Sequence, residues 1–308
     1  MKSIRVLRFA GLTLCAAALF SVRAAAQQEA SPSGLSPQSI QMPLDSPLEA
    51  PPVRSPEEVD AVLAGAASRP EVLPPIKMVL VAGKKDHGPG EHDYPAWQER
   101  WSRLLGAAEN VTVDTAWDFP DGQQLATADV LVFFQKGTWN DRRQASMDAY
   151  FGRGGGAVYI HWAVNGDRRA ADFARRIGLA SQAGNIGYRH GPLSLQLHNT
   201  EHPIMRNLQD LQDMPRLELY DESYWRLTGD ADKVTLFASS LEEGRPRPQI
   251  WAYQVSKGRV FVSIPGHYSW TFDDPLFRTL LLRGIAWTAD QPVDRFNELV
   301  RPGARMSR

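Results

Sequence analysis

Apolar and polar positions follow three regimes along this chain, and the changes between them mark its organisation. From Ile76 onward, short unbroken apolar runs alternate with stretches of helical spacing. "IKMVLVA", "ADVLVFF" and "GAVYIHW" lack the in-out alternation of a strand with one wet face, which predicts strands buried on both sides. Between them, "YPAWQERWSRLLGAA" places Trp97, Trp101, Leu104 and Leu105 at helical spacing, "NVTVDTAW" reads as another strand, and "DRRQASMDAYFGR" as a second helix. Strands taking turns with helices predict an α/β domain with a parallel sheet and helices on both faces.

The later half changes period. "PLSLQLHN" alternates as a one-faced strand does, and "KVTLFASS" and "PQIWAYQVSKGRVFVSIPG" add strands, the last two joined at a Ser-Lys-Gly turn. This predicts an antiparallel β extension in the later half of the domain, closed by the apolar helix "DPLFRTLLLRGIAWTA".

The beginning of the chain differs from both. Residues 1–26 join Lys2, Arg5 and Arg8 to an apolar run and the small residues Ala24 to Ala26, the pattern of a cleaved export signal. The run is shorter than the roughly 20 residues a membrane span needs. Residues 27–73 are rich in Pro, Ser, Ala and Gln and predict a linker, interrupted by a short helix at "SPEEVDAVLAGA" with Ser55 as cap. The expected organisation is a signal peptide at 1–26, a linker at 27–73, one domain at 74–292 and a tail at 293–308. A periplasmic or secreted location follows, with no integral membrane span after signal cleavage.

Charge and cysteine narrow the chemistry. Four basic residues and no acidic one leave with the signal, taking the net charge from −1 to −5, so nucleic acid is not an expected partner. The single cysteine, Cys15, lies in the signal, which excludes disulfides, thiolate metal sites and cysteine nucleophiles from the mature chain.

Ligands of open parallel sheets bind beyond the carboxyl ends of the strands. Four polar loops gather there: "GKKDHGPGEHDY", "QKGTWND", "HWAVNGD" and "PGHYSWTFDD". They carry His87, His92, Trp139, His161, Trp162, His267, Tyr268 and Trp270, while the acidic pair Asp221 and Glu222 lies where the extension folds back over the sheet. The first loop has glycines but neither the Lys-Ser/Thr ending of a P-loop nor a Gly-x-Gly-x-x-Gly pattern. Its three acidic residues would repel phosphate, so no nucleotide cofactor is expected. Imidazoles with carboxylates suit one divalent metal such as zinc, with His87, His92 and His267 as candidate ligands. Flat aromatic faces at Trp139, Trp162 and Trp270, together with Asp221 and Tyr268, are candidate substrate contacts, since sugar rings stack on such surfaces.

"HGPGEHDYPAW", "GRGGGAVYIHWA", "EHPIMRNL", "LYDESYW" and "SKGRVFVSIPGHYSWTFDDPLFRTLLLRGIAWTA", taken in order, resemble the ThuA-like (trehalose-utilisation) family from about Ile76 to Ala289. The resemblance implies a flavodoxin-like sheet of the class I glutamine amidotransferase-like superfamily. Those enzymes present a nucleophilic cysteine after a strand; here that region is "GGGAVYIHWAVNG", with His161 at or near the vacated position, so glutaminase activity is not expected. His87, His92, His161, Glu222 and His267 match the family's recurring polar positions. The implied function is an exported protein of carbohydrate metabolism that binds a small-molecule carbohydrate, such as trehalose or a related disaccharide or keto-sugar. His161 and Glu222 are then the expected catalytic acid–base pair. The alternative is a non-catalytic carbohydrate-binding module or a cell-envelope interaction protein.

Overall fold

The structure is a computed structural model and describes residues 35–67, 70–208 and 216–307. The expected signal at 1–26 lies outside the described residues. Helices α1 (Pro37–Ile40) and α2 (Pro56–Leu63) precede the sheet. The first half then runs β1 (Ile76–Ala82), α3 (Tyr94–Gly106), β2 (Val111–Trp117), α4 (Gly122–Thr127), β3 (Val130–Phe134), α5 (Asp141–Gly152), β4 (Gly156–Ile160) and α6 (Ala170–Ile177).

A two-residue strand β5 (Leu179–Ala180) is followed by the long β6 (Gly187–Leu197) and β7 (Arg216–Trp225), with β8 (Thr228–Gly229) pairing back to β5. Strands β9 (Thr235–Glu242), β10 (Arg245–Val255) and β11 (Gly258–Ser263) and helix α7 (Pro275–Thr288) complete the domain. The main sheet has the order β2-β1-β3-β4-β11-β10-β9-β6-β7. β2, β1, β3, β4 and β11 are parallel, whereas β11 to β7 run antiparallel, as the two patterns of apolar spacing predict.

The doubly covered strands explain the unbroken apolar runs. Met78, Leu80 and Ala82 of β1 pack with Trp97, Trp101 and the closing helix on one face. Val79 and Val81 turn to the other face, against Met147, Tyr150 and Phe173 of α5 and α6. Burying each such side chain contributes about 1.5–3 kcal/mol, so both faces of the sheet are secured by packing rather than by helix propensity.

Two expected boundaries change. The described part of the stretch read as a linker packs on the domain: Ile40, Met42, Val59 and Val62 are buried in the core, and the Met42 amide donates to Asp273 at 2.8 Å. The region read as a tail is likewise packed through Phe296, Leu299 and Val300. The two segments also clasp each other, with the Arg54 amide donating to Arg305 O at 3.3 Å and the Ser307 amide to Arg54 O at 2.8 Å. Isolated apolar residues among prolines give no periodic signal, yet each one still gains from burial. Among the described residues no helix is long and apolar enough to cross a membrane.

Candidate metal centre

The carboxyl ends of β1, β4 and β11 open on one rim, and β7 reaches it from the antiparallel side. His92 ends the loop after β1, His161 directly follows β4, His267 follows β11, and Glu222 projects from β7. One ligating atom from each lies within 4.8 Å of the others, and all four side chains are buried.

The backbone builds this convergence. His92 and His161 both adopt left-handed conformations, with φ of 44° and 56°, a geometry uncommon for residues other than glycine that turns each side chain sharply inward. The loop of His92 is fastened to that of His267: the His92 amide donates to His267 O at 3.0 Å and the Ser269 amide to Gly90 O at 2.8 Å. Gly90 has φ +72° and its Cα faces Ser46 so closely that a Cβ would lie 2.6 Å from that residue's Cβ. Asp221 organises the third loop, its carboxylate accepting the Gly266 and His267 amides, each at 3.0 Å, and the Thr271 hydroxyl.

Hydrogen bonds at the outer nitrogens fix what the inner ones can do. His161 Nδ1 lies 2.8 Å from Ile264 O, a pure acceptor, so its proton is there and Nε2 carries the lone pair. His92 Nδ1 lies 2.7 Å from the Asp86 carboxylate, which again leaves Nε2 as the lone pair; the Tyr94 hydroxyl is 2.8 Å from the same nitrogen. These two Nε2 atoms face each other at 2.8 Å. Glu222 Oε2 lies 3.2 Å from His161 Nε2 and 2.8 Å from His267 Nδ1. Two lone pairs and a carboxylate oxygen at such separations repel unless a proton on His161 Nε2 or a metal ion lies among them. His267 Nε2 is buried without a hydrogen-bond partner, 3.8 Å from Glu91.

The titration behaviour follows from the same contacts. Burial drives the His92 pKa down to about 2, against the Asp86 hydrogen bond, with the charges of His161 and His267 adding to the drop. His267 is also lowered, first by burial. For His161, burial alone would lower the pKa, but the hydrogen bond and charge of Glu222 prevail and raise it. Burial would raise Glu222, yet hydrogen bonds from His161 and His267 hold it below the usual carboxylate range. Asp86 is held low in the same manner by His92 and His87.

The set fits a divalent ion of the zinc type. Three imidazoles and one carboxylate are ordinary zinc ligands, and the ligand–ligand edge of a zinc tetrahedron is about 3.4 Å, close to the spacings seen. His92 backed by Asp86 reproduces the carboxylate–histidine support common behind metal ligands.

A cleft of about 420 Å³ opens onto this centre, bordered by His87, Trp162, Ile186, Tyr188, His190 and Tyr224. His87 stands at its mouth, partly exposed and 3.1 Å from Asp86, beside the four converging groups but not among them. Trp162 borders the cleft as expected. Trp139 does not: it is buried, stacked on Phe173 with ring centres 4.5 Å apart, and its indole donates to Asp172 at 2.8 Å. Trp270 is also buried, its indole donating to Tyr220 O, and it stacks on Tyr268, whose hydroxyl is 3.0 Å from His190 Nδ1. The exposed flat face expected of Trp139 is thus absent, because its ring is consumed in packing, whereas Trp270 lies away from this cleft, beside a separate groove.

Sequence reasoning assigned no role to Asp86, Tyr94, Tyr224 or His190. Strand alternation carried the signal for two of them. Tyr224 follows Glu222 by two residues on β7, and His190 of β6 pairs directly with Glu222.

A parallel sheet covered on both faces, with polar loops converging beyond the carboxyl ends of its strands, defines the class of α/β proteins that place their ligand site at that rim. Within it, the chain belongs to the ThuA family, described as trehalose utilisation, which matches residues 78–288. Solved structures agree on the fold. A putative ThuA-like protein from Parabacteroides merdae is 21% identical with a TM-score of 0.55, the match covering 70% of this chain and 90% of that one. One from Bacteroides uniformis is 16% identical at the same TM-score of 0.55, covering 72% and 95%. No curated protein is significantly similar to the chain.

Proposed function

We propose that the protein is a metal-dependent enzyme acting on a sugar or sugar derivative in the cleft above the His/Glu centre. The observation that carries this reading is the convergence of three buried imidazoles and a carboxylate within 4.8 Å of one another, two of the imidazoles facing each other at 2.8 Å, a donor set that suits a divalent ion. His92, His161, His267 and Glu222 would hold it. A bound ion of this kind supplies Lewis-acid polarisation of a substrate oxygen.

In this reading His161 and Glu222 serve as ligands, and proton transfer passes to groups that face the cleft. Tyr224 has its hydroxyl 3.0 Å from His161 Nε2, and burial followed by the charge of Glu222 keeps it protonated as a donor. His190, partly exposed, 3.0 Å from the Tyr268 hydroxyl and 3.5 Å from Glu222, lines the same cleft and is the second proton-handling group. Trp162 and Tyr188 flank the opening, where they would stack on a sugar ring. The carbohydrate class rests on the family description, and the export of the protein on the sequence of residues 1–26. With Cys15 its only cysteine, the chain has no thiolate for glutaminase chemistry at the rim.

The test is elemental analysis and zinc titration of the purified protein, alongside His161→Ala and Glu222→Ala. About one equivalent per chain is expected, with loss in both variants while circular dichroism stays unchanged. A folded protein that takes up no zinc, manganese or iron at micromolar concentration overturns the reading.

A further inference from the structure

A second groove, of about 450 Å³, lies beside the first, and the pairing of β6 with β7 relates the two. His190 pairs with Glu222 at the metal-facing end of this ribbon, and Pro192 pairs with Tyr220 two residues further along. Residues two apart share a face and are about 6.8 Å apart along a strand, roughly the length of one six-membered ring. Leu193, Leu195, Leu217 and Leu219 take the opposite, core face. The cleft beside His190 and Glu222 and the groove beside Pro192 and Tyr220 are therefore neighbours along the ribbon, separated by Tyr268, which touches both His190 and Tyr220. The far wall is Pro51, Pro52 and Val53 of the N-terminal arm, and Trp270 closes the base.

Most polar groups of this groove are already bonded within the protein. Trp270 donates to Tyr220 O, the Thr271 hydroxyl to Asp221, and Asp274 accepts the Leu276 and Phe277 amides as the cap of α7. Arg54 is held by Asp274 at 2.8 Å, by Glu58 at 3.6 Å and by Glu218 O at 2.5 Å, and the Glu218 carboxylate accepts from Ser194 at 2.6 Å. A sugar ring needs several hydrogen-bond partners when it leaves water, and a groove whose polar atoms are mostly spoken for does not provide them. What remains for a ligand is the apolar surface of prolines, a valine and aromatic carbon.

We propose that this groove is an aglycone subsite, which receives the flat apolar portion of a glycoside whose sugar occupies the metal-facing cleft. The assignment rests on the proposed use of that cleft. It names a substrate of two unlike halves, a hydroxylated ring joined to an aromatic or similarly apolar group.

The test compares dissociation constants of the zinc-loaded full chain for 4-nitrophenyl and methyl glucosides, both anomers of each, by calorimetry. The aryl compound of the accepted anomer is expected to bind at least about tenfold more tightly. Val53→Asp, at a position 47% exposed and so tolerant of substitution, should bring that ratio close to one. Equal constants for aryl and methyl compounds overturn the subsite while leaving the metal centre untouched. If neither glucoside binds, the cleft reading fails and 4-nitrophenol alone decides the groove. Binding that Val53→Asp abolishes supports it, and absence of binding refutes it.

Discussion

Zinc uptake at pH 6 should expel about one proton per chain. Burial pushes His92 down to about 2, so it is neutral there, and lowers His267 in the same sense; Glu222 is held below its usual range and is ionised. His161 is raised from 6.5 by Glu222 despite its burial, so at pH 6 it carries the proton that separates its Nε2 from that of His92. A metal ion at Nε2 must displace that proton. Affinity should then rise about tenfold, or about 1.4 kcal/mol, per pH unit between pH 5 and 6.5, flattening above the folded-state pKa of His161. The metal-free protein shows the opposite sign for this group. A raised folded pKa gives stability that is full below about pH 6.5 and is lost as pH climbs through the folded value. Calorimetry at pH 6 in two buffers of different ionisation enthalpy counts the protons. A count near zero, or an affinity indifferent to pH, refutes the arrangement of lone pairs deduced from the outer hydrogen bonds.

Other expectations follow from single contacts. Asp86→Asn keeps the shape behind His92 but removes its charge, and should weaken zinc binding 10–100-fold in a chelator competition while the fold persists. Gly90→Ala forces a Cβ to within 2.6 Å of the Ser46 Cβ at φ +72°, and should cost about 1–3 kcal/mol in urea denaturation. Trp139→Ala removes a ring packed on Phe173 and should cost about 3–5 kcal/mol, yet leave zinc affinity at the wild-type level; a large loss of zinc binding would return Trp139 to the site.

The parallel half of the fold was legible because doubly buried strands such as Ile76–Ala82 run apolar for five residues after a single polar position, Lys77, at their start. The arm was not legible, since Ile40 and Met42 reach the core from a one-turn helix and the irregular chain after it, too short for a period to register. For the site, residue type and loop position were enough to bring out His92, His161, His267 and Glu222. Their inward aim depends on left-handed backbone at His92 and His161, which composition does not encode. The stacking face expected of Trp139 was misjudged for a related reason. A loop tryptophan offers a flat face only if no neighbour covers it, and Phe173, which covers Trp139, lies far away in sequence.

The clasp between Arg54 and residues 305–307 bears on the order in which the molecule can be finished. Translation produces the wall at Pro51–Val53 early, but the strand of backbone that steadies it only some 250 residues later, as the Arg305 side chain bonded to Pro51 O across a separation of 254 also shows. Closing so long a loop is slow compared with local pairing. A nascent chain can therefore assemble its sheet while one side of the ligand surface still hangs open, and nicking a few carboxy-terminal residues would reopen it from the far end of the polypeptide.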